Sequence, residues 1–599
     1  MDKRTLLTIA ICMTVLIAWQ FVSPFIFPPK PMPAPPADRP AQQATTNDQP
    51  APKPPVIEPA PNAPPAPPGT EQPQPDVQLN TIKNDKITLR LTNEGASVVE
   101  AYLSAYYQYA TGKQPLRLLA PIGAGKRGLA MQLDSGQDLS GRRFSVAAAT
   151  DAKVEYQTTL PDGLTITKTI ELPPNTYHAV VTVTLDNGSG KPMQSGYWIT
   201  SAAGIMPELV PWHKETRKLE DVKSPDIQGA IGAKLENGSI KVIKKNPGNV
   251  QEKPEVYRDT SVAWVGLKNQ YFSVVLKPMD NGVVLGGKVS AVGPNNVSAS
   301  LEEGKAALEP GKPLQRSYMF FVGPNSDEIR KTPAYSSFAD LHGLAWPAAV
   351  TGFFLWIMHA LYAGVRNYGL AIIVLTLLVR VALHPLSRKS QKSMHAMSKL
   401  GPKMQEMKAK FKDDKKRQQE EMMKLYREYG VNPMGGCLPI VLQLPILIGL
   451  YGALRTDIAL RHAPFFLWMK DLSQQDALTI LPGWVPHFAG TPLNVLPILM
   501  IVAMVAQQIL TPKPGDPQSE QTQKLMMWMM PALFFFMFYS MPSGLVLYFL
   551  VSTALGALES HLIRRHLEKI QLVPVKKKNK KENWLERAAR MKKAARMRK

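Results

Sequence analysis

Apolar residues along this chain follow two patterns, long uninterrupted runs near both ends and short alternating stretches between them. The first run, from Leu6 to Phe27, follows Met-Asp-Lys-Arg and is long enough to cross ~30 Å of hydrocarbon. A short cationic start before an apolar run is typical of a signal sequence. Because no clear small-x-small motif closes the run, we expect an uncleaved signal anchor with a cytoplasmic N-terminus. A cleaved signal peptide is the alternative.

A polar, proline-rich segment over 28–76 follows the first run and lacks a hydrophobic period. It holds a large share of the chain's 54 prolines. This composition favours an extended spacer with polyproline II character. We expect it to let the next domain stand away from the membrane.

Residues 77–340 alternate between apolar and polar positions in short stretches, with Asn-Gly turn signals between them. The stretches include Ile87–Leu91, Tyr177–Leu185 and Tyr271–Leu276, and the turn signals lie at 186–188, 236–238 and 280–282. We predict a β-sandwich domain that ends in a helix. The sequence of this region offers no metal-binding cluster, nucleophile elbow or phosphate loop, and its two histidines, His178 and His213, are far apart. We interpret the domain as a scaffold or contact surface.

From Ser326 the pattern becomes helical and then strongly apolar. The apolar segments lie at 346–365, 368–386, 436–454, 493–510, 525–539 and 545–563. The last two would make about 40 residues, twice a bilayer span, if they were continuous. Pro542 and Gly544 divide them into a tight hairpin.

Basic residues are concentrated in two of the polar segments around these runs. The segment 386–433 holds 13 Lys and Arg against 6 Asp and Glu, the tail 564–599 holds 15 against 3, and the loop 455–492 holds 3 against 3. Because basic flanks stay in the cytoplasm, the first two segments are placed inside and the β domain outside. The segments 346–365 and 368–386 therefore cannot both span. We expect the Trp- and Tyr-bearing 346–365 to lie in the membrane interface.

This reasoning predicts an α-helical polytopic membrane core with six transmembrane helices, plus a periplasmic β domain, with both termini cytoplasmic. The predicted spans are 1–27, 367–386, 434–455, 493–510, 524–540 and 545–563. The other predicted segments are the linker 28–76, the β domain 77–340, an interfacial amphipathic helix 341–366, a basic cytoplasmic helical hairpin 387–433, a periplasmic loop 456–492, a cytoplasmic loop 511–523 and a basic cytoplasmic tail 564–599.

Arg380 is the most informative residue, because an arginine inside a span costs at least ~2.5 kcal/mol at mid-bilayer. One interpretation is snorkelling, since Leu386 at the predicted cytoplasmic end is only about 9 Å further along the helix. The other is a water-filled cavity in the inner-leaflet half of the membrane. The further polar residues that would line this cavity are Thr376, Gln443, Gln507, Gln508, Tyr548, Ser552 and Thr553. Each of them is equally compatible with an ordinary hydrogen bond between helices.

The basic hairpin and the basic tail are candidate docking surfaces. The formal net charge of +23 suits ribosomal RNA or anionic lipid and does not choose between them. Regularly spaced Lys and Met over 387–432 predict two amphipathic helices. In one interpretation, these two helices dock emerging chains or targeting factors. In the other, they form a solvated hairpin whose basic residues only keep this segment in the cytoplasm. The tail over 575–599 suits ribosome binding, with anionic lipid as the competing target.

Four motifs together resemble the YidC/Oxa family of membrane protein insertases, in its Gram-negative form. They are Thr376–Ser387, Val431–Pro439, Gln443–Ile446 and Met541–Tyr548. The resemblance is strong over about 340–570 and rests on arrangement more than on motifs in the β domain. It implies a periplasmic β-supersandwich and a five-helix insertase core. That core encloses a hydrophilic groove that is open to the cytoplasm and to lipid and closed to the periplasm.

The resemblance also implies which residues line the groove. The positions that match the family's groove residues are Arg380, Thr376, Gln443, Gln508, Tyr548 and Phe549. The last of these matches an aromatic position that contacts substrate. Because phenylalanine has no hydrogen-bonding group on its ring, a polar role is not expected at Phe549.

The implied function is that of a membrane protein insertase and chaperone in the bacterial inner membrane, not an enzyme, with no cofactor and no metal ion. The implied partners are nascent membrane proteins, the Sec translocon, ribosomes, targeting factors and anionic lipid. An intramembrane hydrolase is disfavoured because His384 is expected to stand alone near the interface and acidic residues are absent from the span centres. A transporter would show internal repeats and a mid-membrane site. A scaffold without insertase activity is the closest alternative.

Overall fold

The computed structural model describes thirteen stretches of the chain, which together carry both of its folded units. They are 75–110, 113–120, 127–208, 226–234, 238–251, 253–258, 261–280, 284–342, 348–411, 414–431, 438–482, 491–510 and 517–567. The predicted signal anchor over 1–27, nearly all of the linker over 28–76 and the tail beyond Leu567 lie outside these residues. One compact unit contains the strands up to Gly323, and the other contains the chain from Pro324 onward with the short segment Tyr107–Gln114.

The first unit is built from eighteen described strands, in agreement with the predicted β domain. They are β1 (Leu79–Lys83), β2 (Ile87–Thr92), β3 (Ser97–Tyr107), β4 (Pro115–Leu119), β5 (Met131–Leu133), β6 (Ser145–Ala149), β7 (Lys153–Thr159), β8 (Leu164–Glu171), β9 (His178–Asn187), β10 (Met193–Ala203), β11 (Gln228–Lys234), β12 (Ile240–Lys245), β13 (Glu255–Arg258), β14 (Val262–Lys268), β15 (Phe272–Pro278), β16 (Val284–Val292), β17 (Asn296–Leu308) and β18 (Leu314–Pro324).

These strands form three sheets. The largest has the order β12-β11-β14-β15-β18-β9-β8-β7-β6, the second has the order β13-β16-β17-β10-β5, and the smallest has the order β1-β2-β3-β4. The nine-stranded and five-stranded sheets face each other, since a Cβ atom on Gly287 of β16 would lie 3.1 Å from Val265 and 3.2 Å from Ile231. This arrangement confirms the prediction of a β-sandwich.

The strand β8 alternates strictly between buried and half-exposed positions. Leu164, Ile166 and Ile170 are buried on one face while the intervening threonines are half exposed. Lys168 belongs to the same buried row and is completely enclosed. Its Nζ donates hydrogen bonds to the carbonyls of Gly95, Ala96 and Leu129 at 3.1, 3.1 and 2.7 Å. A buried ammonium is tolerated here because three carbonyl oxygens replace water.

The second unit is mainly helical. Its helices are α1 (Asp327–Lys331), α2 (Ala348–Val365), α3 (Tyr368–Lys399), α4 (Gly401–Lys410), α5 (Lys415–Glu428), α6 (Leu438–Thr456), α7 (Val495–Leu510), α8 (Pro517–Phe538) and α9 (Ser543–Leu567). A 3-10 helix spans Pro333–His342, and a short hairpin pairs β19 (Thr479–Ile480) with β20 (Pro492–Leu493). The helical end predicted for the β domain falls in this second unit, as α1 and the 3-10 helix.

The helix α3 is capped by Asn367 at its start and by Leu400 at its end. The side chain of Asn367 accepts a hydrogen bond from the backbone N–H of Leu370 at 3.0 Å, which satisfies one free donor of the first turn. Pro385 lies inside the helix and cannot donate to the carbonyl four residues earlier. The helix nevertheless continues to Lys399, well past the predicted membrane boundary at residue 386.

An apolar core holds the helices of this unit together. The helix α2 packs against α3 and α6, and α9 packs against α3 and α7. Buried side chains such as Met358, Ile372, Leu450, Met500 and Val546 meet in this core. At one end of α6, Asp457 Oδ2 lies 2.7 Å from Nε2 of His359, so a polar pair joins α6 to α2.

Many apolar side chains point away from the core. Exposed examples are Leu377, Leu378, Val381, Ile498, Leu499, Val502, Trp528, Leu533, Phe536, Leu558 and Leu562. Such continuous apolar exposure is what a hydrocarbon environment requires. Among the described helices, Tyr368–Lys399 and Ser543–Arg565 are long and apolar enough to cross a membrane, and shorter apolar helices lie at Ala349–Val365, Val495–Leu510 and Trp528–Phe538.

The basic segment after α3 forms a helical hairpin. The N–H of Arg417 donates to the Asp414 side chain at 3.0 Å and caps α5. Tyr426 Oη donates to Sδ of Met404 at 3.3 Å, and Nζ of Lys403 donates to the hydroxyl of Tyr429. These contacts join α4 to α5, so the methionines of the segment serve partly as packing between its own two helices.

Candidate functional site

Arg380 reaches from α3 to α9 and is held there by Ser552. Its Nε and Nη2 donate to Oγ of Ser552 at 3.1 and 2.9 Å. Its side chain is 22% exposed. The guanidinium is therefore engaged between two helices of the core.

Two stripes of residues at helical spacing face each other along α3 and α9. The stripe on α3 is Ile372, Thr376, Arg380 and His384, and the stripe on α9 is Tyr548, Ser552, Gly556 and Glu559. Residues three or four apart lie on one face of a helix, so each stripe forms a continuous line. We call the polar members of these two stripes the polar seam.

The two helices of the seam run parallel. Ile372 approaches Gly544, Arg380 contacts Ser552, and Gln391 Nε2 donates to Oγ of Ser560 at 3.1 Å. The partner numbers rise together along both helices, which is possible only if the helices point the same way. Three described apolar helices, α6, α7 and α8, lie between them in sequence.

His384 does not stand alone, and our expectation on this point is wrong. Its Nδ1 lies 2.7 Å from Oε1 of Glu559. The other carboxylate oxygen, Oε2, lies 3.9 Å from Nη1 of Arg380. The partners are separated by 175 residues in sequence, so the pairing arises only when α3 and α9 come together. The seam thus carries a line of His384, Glu559 and Arg380.

At one end of the seam, Thr376 and Tyr548 are both fully buried. The hydroxyl of Thr376 donates to the carbonyl of Ile372 in its own helix at 2.6 Å. The hydroxyl of Tyr548 accepts a hydrogen bond from Nε2 of Gln443, which extends from α6. Thr376 therefore has the ordinary intrahelical hydrogen bond of a buried threonine, whereas Gln443 and Tyr548 connect two helices.

The glutamine beside Arg380 is Gln507. Its Nε2 would lie 2.8 Å from a Cβ atom built on Gly556, and Nη1 and Nη2 of Arg380 would each lie 3.0 Å from the same point. The amide and the guanidinium thus occupy the space that the missing side chain of Gly556 leaves. Gln508, the expected groove glutamine, is half-buried one residue further along α7.

Phe549 lies in an aromatic cluster between α8 and α9. Its ring centroid is 4.4 Å from that of Phe538 and 6.3 Å from that of Phe534, with edge-to-face geometry in both pairs. The ring of Tyr548 is 5.7 Å away. Phe549 is half-buried, so it places an apolar surface next to the polar seam.

Exposure increases along the α3 side of the seam. Thr376 is fully buried, Arg380 is 22% exposed and His384 is 50% exposed, whereas on α9 Tyr548 is fully buried and Glu559 is 13% exposed. The seam offers a permanent positive charge together with hydroxyl and amide groups, which are suited to transient hydrogen bonds with a polar chain. Among the described residues, no group of three His, Cys, Asp or Glu side chains is arranged to hold a metal ion.

Comparison with known proteins matches both units. Residues 79–357 match the family model of the YidC periplasmic domain, and residues 360–570 match that of the 60Kd inner membrane protein. A membrane protein insertase YidC from Haemophilus influenzae is 32% identical over 509 residues, which cover 82% of this chain and 87% of that relative. This chain belongs to the YidC family. The resemblance inferred from the four motifs is confirmed.

Other YidC relatives cover the chain less evenly. A membrane protein insertase YidC from Syntrophus aciditrophicus is 39% identical over 304 residues, and this chain spans only about half, 52%, of that relative's length. A crystal structure of an active YidC insertase, with its first transmembrane domain resolved, is 21% identical and covers 83% of this chain and 95% of its own, with a TM-score of 0.32.

Three features of this YidC-family site are not evident from the sequence. Ser552 is only one of several polar residues in the last span, and nothing in the sequence marks it as the partner of Arg380. Glu559 lies near the end of its span, where an acidic residue is unremarkable. Gly556 has no side chain, so its contribution is the space it leaves. The four-residue spacing of Tyr548, Ser552 and Gly556 is the available signal.

Proposed function

We propose that this chain is a membrane protein insertase and chaperone, which inserts nascent membrane proteins and helps them fold, alone or with the Sec translocon. The observation that carries the proposal is the contact of Arg380 with Ser552 between α3 and α9. Placing a cation in a membrane core costs free energy, so a cation that is present there indicates a function. Membership of the YidC family supports this function, and the relatives named above are insertases rather than enzymes.

The proposed topology has six spans in the bacterial inner membrane, with both termini cytoplasmic and the β domain periplasmic. Parallel packing of α3 and α9 supports this topology, because parallel helices of one chain need an odd number of crossings between them. The three apolar helices α6, α7 and α8 supply that number. The cytoplasmic placement of 387–433 and 564–599 follows from their basic residues.

The proposed mechanism uses a hydrophilic groove along the polar seam. A nascent polar segment must cross ~30 Å of hydrocarbon, and a wet groove shortens the dry part of that path. The increase in exposure along α3, from Thr376 through Arg380 to His384, supports a groove that is closed at one end and open at the other, the cytoplasmic one in this topology. The apolar segment of the substrate then moves into lipid, driven by burial at about 25 cal/mol per Å².

Each predicted groove residue has a proposed role in this mechanism. Arg380 pairs with acidic groups of the passing chain, and Phe549 offers an apolar contact beside it. Gln443 and Tyr548 close the buried end of the groove, on the side away from the cytoplasm, through their mutual hydrogen bond. The remaining two predicted groove residues differ: Thr376 stabilises the buried start of the seam, and Gln508 contributes to the groove wall next to Gln507.

The proposed partners other than substrate act at the basic segments. The hairpin over 387–433 docks the ribosome or targeting factors, and the tail over 575–599 binds the ribosome or anionic lipid. The contact between Met404 and Tyr426 supports the folded hairpin, and described lysines such as Lys392, Lys403 and Lys424 are exposed. Loss of ribosome co-sedimentation on deletion of 575–599 supports ribosome binding, and unchanged co-sedimentation favours lipid.

The test of the proposed function is insertion by purified full-length protein in liposomes. A single-span substrate carries a translocated segment with two Asp, or with two Asn in the same positions. We expect Arg380→Ala to reduce insertion of the Asp substrate about tenfold, since a hydrogen bond to a charged group is worth about 1.5–3 kcal/mol. Arg388→Ala, at a position two turns further along α3, is the matched control.

A photocrosslinking probe separates insertase from scaffold. A photoreactive phenylalanine analogue at Phe549 should crosslink to a stalled nascent chain. The same analogue at Phe536, which is 77% exposed on the outside of α8, serves as the control. Equal insertion by Arg380→Ala, or no crosslink at Phe549, contradicts the groove.

A further inference from the structure

Glu559 occupies an unusual position between two cationic or cation-forming side chains. Its Oε1 is held at 2.7 Å by His384, whereas its Oε2 stops 3.9 Å from Nη1 of Arg380. The Glu559 side chain is only 13% exposed, so solvent screens this pair weakly. The carboxylate is thus close enough to attract the guanidinium but does not form a hydrogen bond with it.

The hydrogen bonds of Arg380 leave one end of the guanidinium turned toward this carboxylate. Nε and Nη2 are used by Ser552, while Nη1 is the atom nearest to Glu559. Because Ser552 already occupies Nε and Nη2, a substrate carboxylate that pairs with Arg380 would use the same Nη1. Glu559 and an acidic substrate group would therefore compete for one cation, and like charges close together repel each other.

We propose that Glu559 is a specificity-determining residue of the groove, an internal counter-ion that weakens the attraction of Arg380 for acidic substrate segments. His384 sets the strength of this effect, because its contact with Oε1 keeps the carboxylate away from a direct bond with Arg380. The inference rests on the proposed function, in which Arg380 meets the translocated segment.

This arrangement predicts opposite effects for the two partners of the pair. Removing the charge of Glu559 frees Arg380 for substrate carboxylates. Removing His384 releases Glu559, which then moves onto Nη1 and occupies Arg380 more fully. A role of this pair in folding alone would lower insertion of all substrates in the same proportion and would not give opposite signs.

The experiment measures the ratio of insertion of the Asp substrate to insertion of the Asn substrate, in liposomes that contain the purified full chain. The ratio cancels differences in the amount of active protein between variants. We expect Glu559→Gln to raise the ratio about threefold, the effect of a partly exposed ion pair. We expect His384→Ala to lower it about twofold by the same reasoning. Glu171→Gln, an exposed substitution in the β domain, is the matched control.

The outcomes separate this inference from the proposed function. If Arg380→Ala lowers the ratio but Glu559→Gln leaves it unchanged or lower, the inference is wrong and the proposed function stands. If Arg380→Ala leaves the ratio unchanged, the proposed function itself fails. Should Glu559→Gln not accumulate in membranes, His384→Ala decides alone, and an unchanged or higher ratio in that variant overturns the inference.

Discussion

Gly556 lies beneath the guanidinium of Arg380, where a Cβ atom would stand 3.0 Å from both terminal nitrogens of the arginine. That separation is shorter than ordinary van der Waals contact, so the arginine keeps its place only because position 556 has no side chain. The geometry of the seam is therefore set by a residue that makes no hydrogen bond through a side chain.

Substitution of Gly556 should reduce activity while leaving the helix intact. Alanine stabilises a helix by about 1 kcal/mol relative to glycine, so Gly556→Ala should not lower the thermal stability of the protein. It should nevertheless displace Arg380 and Gln507, and Gly556→Val should displace them further. We expect insertion of the Asp substrate to fall in the order Gly, Ala, Val, with melting temperature measured on the same samples. Equal insertion by all three proteins contradicts this role of Gly556.

The hydrogen bond between Gln443 and Tyr548 should contribute to stability and to function separately. Tyr548→Phe removes the hydroxyl group and leaves the Gln443 amide without it, at a cost of about 1–3 kcal/mol. We expect a lower melting temperature in detergent for this variant. The double variant Gln443→Leu, Tyr548→Phe should recover most of the melting temperature without recovering insertion. Additive losses in the double variant would show that the two side chains do not act as a pair.

The contact between His359 and Asp457 should make stability depend on pH. The hydrogen bond to Asp457 raises the pKa of His359 above its usual value of 6.5, although burial works in the opposite direction. A histidine whose pKa is raised by folding stabilises the folded state below its unfolded pKa, and the contribution disappears as pH rises through the folded pKa. Neighbouring Arg330 lowers the pKa of His359 and so moderates the effect.

We therefore expect the melting temperature of the unchanged protein, minus that of His359→Gln, to decrease as the pH rises above about 6.5. Asp457→Asn removes the negative charge that favours the protonated His359 and should also weaken the pH dependence. A difference that stays constant across this range, or that grows with pH, contradicts the assignment.

Lys168 should be essential to the β domain despite its charge. Lys168→Met fills a similar volume but leaves the carbonyls of Gly95, Ala96 and Leu129 without their donor, and each buried unsatisfied group costs about 1–3 kcal/mol. We expect faster hydrogen exchange in β8 and its neighbours in the full-length variant. Lys153→Met, at an exposed position of β7, is the control and should exchange like the unchanged protein.

The sequence predicts the elements of this protein better than the contacts between them. Alternation along β8 and β9 predicts strands because a half-buried strand repeats every two residues. The same pattern could not reveal that the buried position at Lys168 is satisfied by three carbonyls from other parts of the chain. Local periodicity describes one element at a time, whereas such contacts depend on how elements meet.

The candidate site shows the same division. Arg380 is recognisable from sequence because a charge inside an apolar run is costly and therefore rare. Its partners are not, since Ser552 is 172 residues away and the sequence ranks it no higher than the neighbouring polar residues. The pairing of His384 with Glu559 depends on the parallel packing of two helices and could not be read from either segment alone.

Pro385 interrupts the backbone hydrogen bonding of α3. The proline lacks an N–H, so the backbone can bend at this point at little cost. Arg380 before this point and Gln391 after it are both bonded to α9, at Ser552 and Ser560. Tilting of the hairpin when a large particle pulls on it would therefore strain the Gln391 contact first, and bending at Pro385 after that contact breaks would leave the cation in register with its serine.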